Sequence, residues 1–187
     1  IVLLGSLLGT ESPLTITQML WVNLIMDTFA AGALASLPPN ERVMKDKPRR
    51  SGKDGDFIIT RPMAYNIFGV GFAFVVILMG LLFYFHAQDG LTPHDLSWFF
   101  SFFVMLQFWN MFNAKAFMEG RSAFANLKDS KSFLLVALLI LIGQYLIVTF
   151  GGEMFSVIPL PLEDWAIIIG SSSLVLWIGE LFRLSKR

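Results

Sequence analysis

A chain of 187 residues that is 55% hydrophobic and only 15% charged does not have the composition of a water-soluble domain, which usually carries about 25% charged residues. Its net charge of zero offers no basic excess for nucleic acid, and the absence of cysteine excludes disulfides and thiolate metal centres. Several long apolar runs instead specify an all-α, polytopic transmembrane helical bundle, with five full spans plus a truncated helix.

The chain opens in the apolar run Ile1–Leu8, which is too short to span a bilayer and lacks the basic start of a signal peptide. Residues 1–9 are therefore expected to be the end of a cut helix. Gly9-Thr10-Glu11-Ser12-Pro13 reads as a tight turn. A span is predicted over 15–37, stopped by Pro38-Pro39. Residues 38–61 form a polar, basic connection, and 62–85 is a charge-free span with Pro62 suited to a first turn. A polar turn with His86, Asp89, His94 and Asp95 leads to the aromatic-rich span 97–113. The remaining spans are 132–150 and 165–184, separated by a loop with Glu153, Pro159, Pro161, Glu163 and Asp164.

The basic residues fix an expected orientation. The connection after Pro39 holds seven, the one after Asn113 holds four and the C-terminal tail holds three, which is every Lys and Arg in the chain. The alternate loops hold none. The positive-inside rule then makes this a multi-pass integral membrane protein with 38–61, 114–131 and the C-terminus cytoplasmic. Trp98 and Trp165 fall near the outer boundary, as belt aromatics do.

Asp27 lies mid-way along the first full span. A carboxylate at that depth costs about 2.5–3.5 kcal/mol on insertion scales, so it usually has a task. Asn23, four residues earlier, projects from the same helix face, and Thr28 follows. Such oxygens are hard ligands suited to Ca²⁺, Mg²⁺ or Mn²⁺. They supply only part of the roughly six to eight oxygens Ca²⁺ takes, so a further acidic ligand is expected from elsewhere. The alternative is that Asp27 is a hydrogen-bond partner that locks helices together. Gln107, Asn110 and Asn113, spaced three apart on one face, could line the same polar cavity. Interhelical hydrogen bonding suits Asn110 and Asn113 better, and a local pair with Arg183 suits Glu180. No phosphate loop, nucleophile elbow or metal-binding His pair is present, and no soluble segment could house a catalytic domain.

The stretch Gln18-Met19-Leu20-Trp21-Val22-Asn23-Leu24-Ile25-Met26-Asp27-Thr28-Phe29-Ala30 resembles the sixth transmembrane helix of calcium-transporting P-type ATPases, plasma-membrane type. The resemblance continues through Pro38-Pro39, Met44-Lys45-Asp46-Lys47-Pro48, Ile59-Thr60-Arg61, Phe103-Val104-Met105-Leu106-Gln107 and Phe150-Gly151-Gly152. It implies a C-terminal membrane domain, from the end of helix five through helix ten, of an ATP-driven pump. It also implies Asn23 and Asp27 as ligands of transported Ca²⁺, with Thr28 and Gln107 in supporting positions and a glutamate from helix four completing the site. ATP, Mg²⁺, helices one to five and the phosphorylation, nucleotide-binding and actuator domains would belong to the parent chain, with loop 38–61 coupling to them. Sarcoplasmic-reticulum-type pumps carry threonine at the place of Met26 and glutamate at that of Gln107, so these two residues suggest a single-ion pump. A pump for Mn²⁺ or another divalent cation, a secondary transporter and a structural membrane subunit are the rival expectations. The secondary transporter would usually show an internal repeat, which is not found here.

Overall fold

The computed structural model describes residues 1–7, 12–38, 59, 61–88 and 90–185. The described residues form helices and turns, with no strand among them. In chain order these are α1 (Val2–Leu7), α2 (Ile16–Asn23), a π-helical segment (Leu24–Ala30), α3 (Ala31–Ala35), α4 (Arg61–Gln88), α5 (Pro93–Glu119), α6 (Lys131–Phe150), α7 (Gly152–Phe155) and α8 (Leu162–Ser185). Three stretches among the described residues are long and apolar enough to cross a membrane: Met63–Ala87, Lys131–Phe150 and Leu162–Ser185. Most of the expected coupling connection, 39–58 with Thr60, lies outside the described residues.

The centre of the bundle is α5, packed chiefly on α8. Phe99, Phe100, Met105, Leu106, Phe108 and Met111 are buried along it. The helix exceeds the expected 97–113 at both ends for local reasons. Thr92 caps its start, accepting the Asp95 N–H at 3.2 Å while the Asp95 carboxylate accepts the Thr92 N–H at 3.1 Å. Gly120 ends it in the left-handed region at φ 64°. Hydropathy marks only the apolar middle of such a helix, whereas caps mark its ends. Because α5 is enclosed by other helices, it can carry Gln107, Asn110, Asn113 and Lys115 that a lipid-facing helix could not.

The tertiary contacts give the helix directions. α5 and α8 run parallel: His94 Nε2 lies 2.8 Å from Asp164 Oδ2 at one end, the Trp109 indole N–H donates to Ser172 Oγ at 3.1 Å midway, and Arg183 Nη2 donates to Asn113 Oδ1 at 2.9 Å at the other. α4 runs antiparallel to α5, with Phe85 edge-on to Trp98 at 5.8 Å. α6 is likewise antiparallel, with Phe133 edge-on to Phe112 at 5.0 Å near its start. α2 runs opposite to α6, since Gln18 and Trp21 at its N-terminal end reach Phe155 and Gln144. The connection 121–130 folds back on the α5–α8 end, where the Lys115 ammonium donates to the Ala125 carbonyl at 2.6 Å and Glu180 Oε1 accepts the Ala123 N–H at 2.5 Å. The Glu180–Arg183 pair expected from sequence forms at 2.9 Å. Outward-facing Leu135, Leu138, Ile142 and Leu146 on α6, with Leu174, Ile178 and Leu181 on α8, give the apolar exterior that acyl chains solvate.

Candidate cation site

The span expected over 15–37 is not one helix. Thr15 caps α2 in a reciprocal box with Gln18, at 3.3 Å to the Gln18 N–H and 3.0 Å back from the Thr15 N–H. The α-helix holds as far as Asn23 and then widens into the π turn over Leu24–Ala30, before Ala31–Ala35 resumes regular helix. The burial pattern accounts for this. Gln18 and Ile25 are buried seven apart, two α turns; among the described side chains the next buried are Ala30, five further on, and Ala33, three beyond that. A continuous α-helix would turn Ala30 away from the face that Ile25 occupies, whereas one i→i+5 turn keeps both on it.

Asn23 ends α2 with its side chain exposed, and Thr28 is exposed within the π segment. Neither side chain forms a hydrogen bond among the described residues. The main chain of Asp27 lies in the π segment, while its side chain lies outside the described residues. The wide turn thus begins directly after Asn23 and carries Asp27 within it. Among the described residues no group of three or more His, Cys, Asp and Glu is placed to hold a metal ion.

Gln107 lies elsewhere. It lines a cleft of about 370 Å³ between α4 and α5, together with Asn66, Asn110 and Asn113 among apolar neighbours such as Val70 and Phe74. No described residue of α2 or of the π segment lines this cleft. The three-residue spacing of Gln107, Asn110 and Asn113 therefore does bring them to one surface, without joining them to Asn23. Asn113 is also an interhelical bridge, donating to the Val175 carbonyl at 3.0 Å and accepting from Arg183.

Three polar contributions were not singled out by sequence. Gln18 is buried and donates from Nε2 to the Phe155 carbonyl at 2.9 Å, which ties the start of α2 to α7. Gln144 is wholly buried and accepts the Trp21 indole N–H at 3.0 Å. Lys115 is also wholly buried. Gln144 did carry a signal, being the one amide in the apolar run 132–150.

Residues 11–185 match the family described as cation transporting ATPase, C-terminus. The chain is 35% identical over 190 residues to plasma membrane calcium-transporting ATPase 1 of Mus musculus, covering 95% of this chain and 15% of that protein. It is 36% identical over 184 residues to plasma membrane calcium-transporting ATPase 2 of Oreochromis mossambicus, covering 91% of this chain and 16% of the relative. Similarity to plasma membrane calcium-transporting ATPase 3 of Homo sapiens is again 36% over 184 residues, covering 91% of this chain and 15% of that protein. The chain thus spans less than a fifth of the length of these curated relatives.

Proposed function

This chain belongs to the family of cation-transporting ATPase C-terminal regions and is an integral membrane protein; from that premise we propose that it is the C-terminal membrane domain of an ATP-driven Ca²⁺ pump, in which Asn23 and Asp27 ligate the transported ion. The observation that carries the proposal is the break in regular helix at Leu24–Ala30. A π turn displaces main-chain carbonyls from their α-helical partners, and irregular backbone at membrane depth is tolerated only where it is buried in protein or lines a polar cavity. An amide oxygen and a carboxylate, with main-chain carbonyls beside them, are together the kind of oxygen donors that Ca²⁺ prefers. One carboxylate leaves half of a divalent charge uncompensated, so a second acidic ligand comes from another part of the parent chain.

In this reading five spans cross the membrane, the first of them broken at 24–30, and the Lys- and Arg-bearing connections 38–61 and 114–131 face the cytoplasm with the C-terminus. Binding of the ion at Asn23 and Asp27 neutralises the carboxylate charge and draws the π segment into one arrangement. The connection 38–61, which follows Pro38 directly, passes that arrangement to the phosphorylation domain, where ATP and Mg²⁺ act. Met26 and Gln107 offer no carboxylate or hydroxyl for a second ion, which favours one Ca²⁺ per cycle. Thr28 serves as a hydrogen-bonding support for ligands or ordered water.

The test is Asp27→Asn in the full-length pump. Ca²⁺-dependent phosphorylation by ATP is expected to vanish, while phosphorylation by inorganic phosphate without Ca²⁺ persists. Asn23→Ala should weaken Ca²⁺ binding less, because the carboxylate remains. Unchanged Ca²⁺ affinity in Asp27→Asn would refute the assignment.

A further inference from the structure

We infer that Gln144 of α6 is a positioning residue for the cation site, acting through the Trp21 side chain to hold Asn23 in place; the inference rests on the function proposed above. Three contacts converge on the last six residues of α2, Gln18 to Asn23. The Trp21 indole N–H donates to Gln144 Oε1 at 3.0 Å. The Trp21 ring lies over Gly143, where a Cβ would come within 2.9 Å of the ring, so only glycine leaves room for it. Gln18 is tied to the Phe155 carbonyl at 2.9 Å. α2 is thereby pinned to α6 and α7 on one face, while Asn23, two residues after Trp21, stays exposed on another. α6 also lies against the π segment and α3.

Packing does not explain the amide. Gln144 Nε2 is buried and has no hydrogen-bond partner among the described residues. A buried donor left unmet is costly, and a leucine of similar volume would avoid that cost. What the glutamine supplies and leucine cannot is the acceptor for Trp21. Fixing Trp21 orders Asn23 before the ion arrives, so ordering entropy is not lost on binding.

Two variants of the full-length pump test this by equilibrium Ca²⁺ binding and thermal unfolding, beside Asp27→Asn. Trp21→Phe keeps an aromatic ring but removes the donor and the far ring edge that meets Gly143. Trp21→Phe with Gln144→Leu removes donor, acceptor and orphan amide together. Both are expected to bind Ca²⁺ about tenfold more weakly, the loss that follows from about one unmade buried hydrogen bond. The double variant is expected to unfold above Trp21→Phe, because the orphan amide is gone, without regaining Ca²⁺ affinity, which a merely structural role would not produce. Unchanged affinity in Trp21→Phe, or an affinity that returns with thermal stability in the double variant, overturns the inference. If Asp27→Asn itself binds Ca²⁺ normally, the proposed function fails and this inference with it. If Asp27→Asn loses binding while the Trp21 variants do not, the inference alone fails.

Discussion

Removing the Glu180 carboxylate should destabilise the junction of α5, α8 and the 121–130 connection. Glu180 is 8% exposed, and its Oε1 accepts both the Ala123 N–H at 2.5 Å and Arg183 Nη2 at 2.9 Å. Glu180→Ala strands the Ala123 N–H, which alone costs about 1–3 kcal/mol. It also removes the anion from Arg183; breaking a buried pair costs about 3–5 kcal/mol when the remaining charge has nothing else. Arg183 retains its bond to Asn113 Oδ1 at 2.9 Å and its side chain is 24% exposed, so its loss falls below that scale, to about 1 kcal/mol. The sum is a loss of about 2–4 kcal/mol. Glu180→Gln keeps an acceptor for Ala123 and gives up only charge assistance, a loss of about 1 kcal/mol. Thermal unfolding in detergent compares the two with wild type, and Arg183→Leu completes a double-mutant cycle. Coupling between Glu180→Ala and Arg183→Leu should exceed about 0.5 kcal/mol. A Glu180→Ala protein as stable as wild type, or strictly additive losses, would refute the reasoning.

Gly179→Ala should cost about 1–3 kcal/mol, because its Cβ would collide with the Asn113 amide that bridges Val175 and Arg183. Gly170→Ala on the same helix has open space around its Cβ and should be neutral or slightly stabilising, so the two unfolding temperatures form a matched comparison. Gly143→Ala should push the Trp21 ring off Gln144 and weaken Ca²⁺ binding as Trp21→Phe does; a Ca²⁺ titration with wild-type affinity would show that the ring adjusts without losing its bond.

Much of the fold was legible because lipid imposes one-dimensional rules. Apolar run length located α4, α6 and α8 to within a few residues, and the charge pattern separated the two ends of the bundle. The 3.6-residue period correctly placed Gln107, Asn110 and Asn113 on one surface. The π segment was not legible. Its cause is tertiary, the need to bury Ile25 and Ala30 on one face, and no residue between them is a helix breaker. Nor could composition show that α7 forms a short helical turn in a connection, or that Lys115 is buried, since both follow from how 121–130 and 151–161 fold back. The site was legible only as residue types. That Asn23 and Gln107 lie on different surfaces needed coordinates.

Hydrogen bonding divides the bundle's polar side chains into two groups. On α5 and α8, Trp109, Asn113, Ser172 and Glu180 are paired with one another or with main chain, so their presence in an apolar setting is accounted for by structure alone. Asn23, Thr28, Asn66, Gln107 and Asn110 form no side-chain hydrogen bond among the described residues. An amide or hydroxyl in hydrocarbon without a partner costs several kcal/mol by the harsher transfer scales, roughly 4–8. Polar groups of the second kind therefore cannot face acyl chains; they require water, an ion or another helix. They occur on two surfaces, the α2–π face and the α4–α5 cleft, and only the first has an acidic residue in its sequence. The cation proposed above is therefore assigned to the α2–π face, and the cleft, lined by amides without a carboxylate, suits an uncharged hydrogen-bonding neighbour.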